Sequence, residues 1–357
     1  MRFHFGILKS EMPDSESEWV KSCENRKDII DYKVIDLIKT NWYETVISEN
    51  FDCFLTHPSD KLELYKRLYD ERLFTINQFL GKMIYPSLTE NLIYENKRFL
   101  SYWLKAKGIP HPATWIFYSK EEALAFAGTA KLPLVAKTAV GSAGTGVRIF
   151  RDRASVVNYI ETAFSSKGIT RDWGPNLRKS NISKRIVKRL QSPLDTIAHF
   201  KKKQFRATYD AQKGFVIFQE YIECDHEWRC VVIGDSYFGH KKIRSIGEKI
   251  SGSSFVSWDI PNARILNLIR QICETGNFRS VAIDIFEDKH TGGLFVNEIQ
   301  CFFGSKNPHQ MIRNGEPGRF IYKNNEWIYE PGIFNTNNSF DLRIDHLLSL
   351  MQKKVGQ

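Results

Sequence analysis

Two neighbouring segments near residue 290 carry polar side chains suited to metal and phosphate chemistry. VAIDIF (281–286) is apolar except for Asp284, and VNEIQ (296–300) places Glu298 and Gln300 on one side of a strand. If the turn centres near residue 291, Asp284 lies opposite Glu298. Clustered hard oxygens suit Mg²⁺ shared with phosphates. The alternative is a carboxylate neutralised by Lys or Arg, with Gln300 merely polar.

A second group of residues is a lysine followed by a glycine-rich turn. PLVAK ends at Lys137, and Gly141, Gly144 and Gly146 follow. Glycines let backbone N–H groups turn toward an anion at close range. The pattern is neither a Walker A loop nor a GxGxxG motif. Read alone, such a glycine turn is more often just the turn of a simple hairpin.

A third group lies in FVIFQEYIECDHEWR (215–229), where an apolar strand runs into a polar hinge. Backbone donors and acceptors at such a hinge can hold the edge of a purine, and a nearby carboxylate can accept ribose hydroxyls. The alternative is an edge strand with charged surface side chains. Cys224 and His226 lie two apart on an extended segment, which is poor geometry for a nucleophile and its base.

The elements that must position these groups fall into two regions. Up to about residue 90, apolar runs at 2–8, 32–37 and 51–57 alternate with helical patterns. This alternation predicts a small parallel sheet with helices on its faces. From residue 91 we expect one helix over 91–107, followed by strands joined mostly by hairpins and a final helix. The larger domain, 91–357, is therefore predicted to be α+β with an antiparallel sheet.

The positive charge is concentrated in one segment. The chain has 357 residues and a formal net charge of +10, of which residues 178–206 contribute +9. The remainder is nearly neutral, which argues against general nucleic-acid binding. We place this segment within an insertion at about 167–213. It is either a solvated lid or a surface that recruits an anionic acceptor, such as an acidic glycan, or a membrane surface.

Amino-acid composition limits the classes of protein to which this chain could belong. Six cysteines without a CxxC pattern indicate reduced, mostly buried thiols in a cytoplasmic protein. No stretch approaches the ~20 apolar residues of a membrane span, and the opening MRFHFGILKS is a poor secretory signal.

Taken in this order, the three groups resemble the ATP-grasp superfamily, which includes D-alanine–D-alanine ligase and the glutamate ligases of ribosomal proteins. The resemblance covers about residues 91–310 and rests on Asn96-Lys97, LVAKTAVGSAGTGV, VIFQEYI with Glu227 and Arg229, AIDIF and NEIQ. It implies an α+β ATP-grasp fold preceded by a smaller N-terminal α/β domain with a parallel sheet, over residues 1–90.

The resemblance also implies roles for individual residues. For ATP it implies two phosphate-binding lysines, a lid over about 130–150, an adenine hinge and a ribose carboxylate: Lys97, Lys137, Gly141, Ser142, Gly144, Gly146, Glu220, Tyr221, Ile222 and Glu227. Arg229, Lys241 and Arg244 would face the γ-phosphate or the acceptor. Asp284 and Glu298 would bind magnesium, with Gln300 at a position where the family usually has Asn.

The implied activity is an ATP-dependent ligase that joins a carboxylate to an amine through an acyl phosphate, with Mg²⁺, or Mn²⁺ in its place. Phosphoryl transfer requires positioning and charge neutralisation rather than a protein nucleophile. Two alternatives stay open: an ATP-grasp kinase acting on a small molecule or glycan, and a non-catalytic anion-binding module with a decayed nucleotide pocket. The resemblance is also compatible with a homodimer.

Overall fold

The computed structural model describes residues 2–59, 62–141, 144–171, 210–243, 256–303 and 308–355. The chain divides into two compact units. The first contains Met1–Asp60, Tyr65–Pro112 and Ile222–Gln357, and the second contains Lys61–Leu64 and Ala113–Tyr221. Among the described residues, no helix is long and apolar enough to cross a membrane.

The first unit begins with a parallel sheet, as the strand–helix alternation predicts. Its order is β2-β1-β3-β4, with parallel pairing throughout. The strands are β1 (Phe3–Lys9), β2 (Ile30–Asp36), β3 (Cys53–Thr56) and β4 (Ile84–Tyr85). The helices between them are α1 (Ser17–Glu24), α2 (Trp42–Ile47) and α3 (Glu63–Phe74), which continues as a π-helical turn, Thr75–Phe79.

The helix expected over 91–107 is instead two helices, α4 (Leu88–Ile93) and α5 (Lys97–Ala106). The helical conformation is interrupted at Glu95, whose φ of +48° is left-handed. Asn96 then caps α5, because its side chain accepts a hydrogen bond from the Phe99 N–H. The break places Lys97 at the first position of a helix rather than in its middle.

The second unit contains an antiparallel sheet with order β5-β8-β6-β7. Its strands are β5 (Thr114–Phe117), β6 (Leu134–Lys137), β7 (Val147–Phe150) and β8 (Val216–Glu220). Two helices, α6 (Lys120–Thr129) and α7 (Arg153–Ala163), contribute to its apolar core. Helix α7, which we did not predict, begins where the Asp152 side chain accepts a hydrogen bond from the Ser155 N–H.

The rest of the first unit is built on a larger antiparallel sheet with order β13-β12-β9-β10-β15-β14; β11 pairs with β10, and β16 with β15. Helix α8 (Ala263–Gly276) shares its apolar core. The strands are β9 (His226–Ile233), β10 (Ser236–Ile243), β11 (Val256–Ser257), β12 (Ser280–Glu287), β13 (Leu294–Gln300), β14 (Ile312–Arg313), β15 (Glu316–Lys323) and β16 (Glu326–Pro331).

The C-terminal helix packs against the N-terminal parallel sheet and helix α1. After a 3₁₀ turn, Thr336–Ser339, helix α9 runs over Phe340–Val355. Phe340, Ile344 and Leu347 share one buried apolar cluster with Phe5 of β1 and Trp19 of α1. Because burying this apolar surface stabilises the folded state, the parallel sheet and the C-terminal helix are stabilised together.

Candidate functional site

One face of the larger sheet carries a row of charged side chains. Arg229 on β9 pairs across the strands with Asp284 on β12, and Asp284 pairs in turn with Glu298 on β13. Residues directly opposite on neighbouring strands point to the same face. The structure therefore brings Asp284 and Glu298 together, at the register expected from the position of the turn.

Asp284 is tightly bound by two cations. Arg229 donates two hydrogen bonds to its carboxylate, from Nε to Oδ1 at 2.8 Å and from Nη2 to Oδ2 at 2.7 Å. Lys242 also donates to Oδ2. The Asp284 side chain is only 4% exposed. Its burial acts to raise its pKa, but the charges of Arg229 and Lys242 outweigh that effect and hold the pKa well below the usual range.

Glu227, the expected ribose ligand, lies buried beside the same lysine. Its Oε2 accepts a hydrogen bond from Lys242 Nζ at 3.0 Å, and its Oε1 accepts one from the Asn297 side chain. Burial raises the pKa of Glu227, against the opposing effect of Lys242. Each carboxylate oxygen of Glu227 therefore accepts a hydrogen bond from a side chain within the sheet.

The sequence analysis did not identify Lys242 and Asn297 as residues of this charged face, and in each case the reason is geometric. Lys241 and Lys242 are adjacent, so only the register decides which of them shares a face with Asp284. A β-bulge between β12 and β13 pairs Asp284 with Glu298 but Ile285 with Val296, which leaves Asn297 as the extra residue. Such a bulge re-aims a side chain, and no simple sequence signal marks it.

Lys241, predicted to face the γ-phosphate or acceptor, lies on the opposite face from Lys242. It pairs across the strands with Trp228, and its ammonium lies 5.0 Å from the centre of that ring. It also lies 3.5 Å from a carboxylate oxygen of Asp259. Because side chains alternate along a strand, Lys242 rather than Lys241 lies on the face that carries Asp284.

Glu298 has looser contacts than Asp284. Lys97 Nζ lies 3.4 Å from Glu298 Oε1 and 3.8 Å from Glu95 Oε2. The Glu298 side chain is 19% exposed. Gln300 Oε1 lies 3.5 Å from Arg229 Nη2, at the limit of a hydrogen bond. This end of the charged face therefore combines a lysine, a carboxylate and an amide oxygen.

In the second unit, Lys137 is a buried residue at the end of β6, and a tight glycine loop follows it. The Thr138 N–H donates to the Gly146 carbonyl oxygen, and the Thr138 hydroxyl donates to the Val140 carbonyl oxygen. A Cβ atom at residue 146 would lie 1.8 Å from Thr138 Oγ1, so only glycine fits there. Gly144 has a left-handed φ of +71°. Gly146 therefore packs closely on Thr138, and Gly144 has a conformation that favours glycine.

A hydrogen bond to the loop backbone and the packing of a buried ion pair hold this loop in place. The Ala139 N–H donates to Gln212 Oε1 at 2.8 Å. Arg171 and Asp210 form a buried ion pair, with Arg171 Nε to Asp210 Oδ2 at 2.7 Å. The Arg171 side chain also packs against Gly141, where an added Cβ would meet it at 3.1 Å. The loop is therefore anchored in the core of its own unit.

The expected adenine hinge lies at the end of β8. Glu220 is exposed, and its N–H donates to the Ala113 carbonyl oxygen. Tyr221 and Ile222 are half-buried, and the division between the two units falls between them. Ser142, Arg244 and the basic segment 178–206 lie outside the described residues.

The oxygen donors on the larger sheet fit a magnesium ion only in part. Glu298 and Gln300 offer oxygens of the type that Mg²⁺ prefers, and they are less enclosed than Asp284. Asp284 already accepts three hydrogen bonds from cationic groups. Within the described ranges, no three His, Cys, Asp or Glu side chains are grouped so as to hold a metal ion. Of the expected ligands, Glu298 and Gln300 fit the ion best.

No protein-family model matches the sequence, and no curated protein matches it. Several solved structures are similar to this chain. D-alanine–D-alanine ligase from Bacillus anthracis is 12% identical, with 99% of each chain covered and a TM-score of 0.52. A RimK domain ATP-grasp protein from Sphaerobacter thermophilus is 15% identical, covering 84% of this chain and 92% of that one, with a TM-score of 0.51.

A third similar structure was solved with nucleotide. It is the biotin carboxylase domain dimer of 2-oxoglutarate carboxylase from Hydrogenobacter thermophilus, in complex with MgADP, ADP and bicarbonate. It is 13% identical, covers 87% of this chain and 66% of that one, and has a TM-score of 0.55. At these identities the likeness concerns the fold. The protein has the α+β ATP-grasp fold with an N-terminal parallel-sheet region.

Proposed function

We propose that this protein is an ATP-dependent ligase that joins a carboxylate to an amine through an acyl phosphate and releases ADP and phosphate. The observation that carries the proposal is the set of Lys97, Arg229, Glu298 and Gln300 on one end of the charged sheet face. Fixed cations beside a carboxylate and an amide oxygen suit the binding of a magnesium-bound polyphosphate.

The first step is transfer of the γ-phosphoryl group. An oxygen of the substrate carboxylate bonds to the γ-phosphorus, the bond to the bridging oxygen breaks, and ADP leaves with that electron pair. Lys97 and Arg229 stabilise the charge that develops on the phosphoryl oxygens. Glu298 and Gln300 would hold Mg²⁺, which when bound neutralises and orients the phosphates.

The second step forms the carbon–nitrogen bond. The amine nitrogen attacks the acyl carbon, the carbon–oxygen bond to phosphate breaks, and the nitrogen loses a proton. Phosphate leaves readily, whereas the oxide of a free carboxylate does not. No protein nucleophile is needed, so the chemistry depends on the positions of the charged groups.

In the second unit, we assign Lys137 and the glycine loop to phosphate binding and the Glu220–Ile222 hinge to adenine. Support comes from the buried lysine, the close packing of Thr138 on Gly146, and the fold shared with a protein solved with MgADP. Backbone N–H groups in a glycine loop can hold phosphate oxygens without a charged side chain at each contact.

The test is an assay for ADP release with a panel of carboxylic acids, with hydroxylamine present to trap an acyl phosphate as a hydroxamate. We expect equal amounts of ADP and hydroxamate with a competent acid. Glu298→Gln should reduce turnover by about a hundredfold or more. Glu287→Gln is the matched control, since Glu287 lies on β12 and contacts His226 and Trp228.

Two results would overturn the proposal. A stable phosphorylated product without hydroxamate would make the protein a kinase. No rise in melting temperature with Mg-ATP would indicate that the chain does not bind the nucleotide, since a ligand that binds only the folded state stabilises it.

A further inference from the structure

Four of the charged side chains, three of them buried and Arg229 partly exposed, form a group that is neutral as a whole. Arg229 and Lys242 provide two positive charges, and Glu227 and Asp284 provide two negative ones. Lys242 lies between both carboxylates, and Arg229 takes both oxygens of Asp284. We call these four residues the ionic quartet. Because its charges are balanced internally, it offers no excess negative charge to a divalent cation.

The neighbouring end of the face differs in charge. Glu298 and Glu95 share one lysine, Lys97, at the longer distances of 3.4 and 3.8 Å. These three residues carry a net charge of −1, and Glu298 is several times more exposed than Asp284. A divalent cation is therefore attracted to Glu298. At Asp284 it would stand in contact with two side-chain cations, which repel it.

We propose, resting on the proposed function, that the site takes one divalent cation, through Glu298, and that Asp284 is not a metal ligand but the anchor of Arg229 and Lys242. Arg229, held in place by Asp284, then neutralises phosphate charge where a second metal ion would otherwise do so. This differs from the sequence expectation, which counted Asp284 among the magnesium ligands.

The geometry assigns distinct tasks to the two cations. Arg229 uses Nε and Nη2 in its bonds to Asp284, so Nη1 is the end of the guanidinium that can meet a phosphate oxygen. Lys242 is buried and bonded to both carboxylates of the quartet, so it is a positioning residue. It holds the carboxylate that in turn orients Arg229.

The test counts Mn²⁺ ions bound to the full chain with a non-hydrolysable ATP analogue, by electron paramagnetic resonance and titration calorimetry. We expect about one Mn²⁺ per nucleotide-loaded chain. Glu298→Gln should weaken Mn²⁺ binding by about tenfold or more, whereas Asp284→Asn should change it by less than about threefold. Glu287→Gln, the matched control on β12, should leave it unchanged.

The outcomes separate the two proposals. Two Mn²⁺ per chain, or an Asp284→Asn loss as large as that of Glu298→Gln, would overturn the single-cation site alone. Failure of the wild-type chain to bind the Mn²⁺–nucleotide complex would overturn the proposed function. If Asp284→Asn does not fold, the count on the wild-type chain and the Glu298→Gln titration still decide.

Discussion

Removing one cation from the ionic quartet should destabilise the protein far more than removing its neighbour in sequence. In Lys242→Met, the methionine fills a similar volume but leaves Glu227 and Asp284 with one cation, Arg229, between them. Lys242 and both carboxylates are buried. Loss of one partner from a buried ion pair costs about 3–5 kcal/mol, because the remaining charge is neither solvated nor paired.

Lys241→Met is the matched control, since the same substitution is made one residue away on the opposite face. Lys241 is partly exposed, contacts the Trp228 ring and lies near the exposed Asp259. Exposed ion pairs and cation–π contacts are each worth about 1 kcal/mol or less. The difference between the two variants should therefore be about 1 kcal/mol or more in the free energy of unfolding.

Urea unfolding followed by circular dichroism measures this difference, and hydrogen exchange of the β9 and β12 amides reports it locally. The local measurement matters because a chain with two units need not unfold in one step. Adding Glu227→Gln to Lys242→Met should restore part of the loss by removing the uncompensated charge. Equal costs for Lys242→Met and Lys241→Met, or no recovery in the double variant, would refute the description of the quartet.

Three further predictions concern groups outside the ionic quartet. Glu90→Ala should cost about 3 kcal/mol or more in urea unfolding, because its carboxylate accepts three backbone N–H groups; a loss below about 1 kcal/mol contradicts this. Burial lowers the pKa of His346 from 6.5 to about 4. Between these pH values the unfolded chain binds more protons than the folded chain. The free energy of unfolding therefore decreases as the pH falls through this range, by up to about 3 kcal/mol. His346→Gln should flatten that pH dependence, and an unchanged profile would count against it. Gly146→Ala should weaken Mg-ATP binding, measured by calorimetry, because its Cβ would clash with Thr138; Gly128→Ala, with no atom near its added Cβ, is the control that should bind normally.

Several features followed from local patterns because their physical causes are local. The parallel front sheet follows from strand–helix alternation. The pairing of Asp284 with Glu298 follows from the turn and the twofold period of a strand. The Asn324-Asn325 turn of the last hairpin has positive φ at both residues, a conformation that asparagine adopts more readily than most residues.

Other features were not predicted from the sequence or depended on contacts between distant segments. The break before Lys97 uses a left-handed Glu95, a conformation for which glutamate has no preference. Helix α7 was missed although Asp152 caps it. The larger sheet and the front sheet belong to one unit, in which helix α9, from the far end of the chain, packs on the front sheet.

By itself, the sequence determined the ATP-grasp resemblance, the strands that carry the charged residues and which acids lie opposite each other, since these depend on residue type and short-range spacing. Tertiary structure decided which acid is already neutralised. Four strands had to meet in register, with one bulge, before Lys242 rather than Lys241 faced Asp284 and Glu227. Charge balance in a buried cluster is a property of that three-dimensional neighbourhood, because the cost of a buried charge depends on which groups lie within a few ångströms of it.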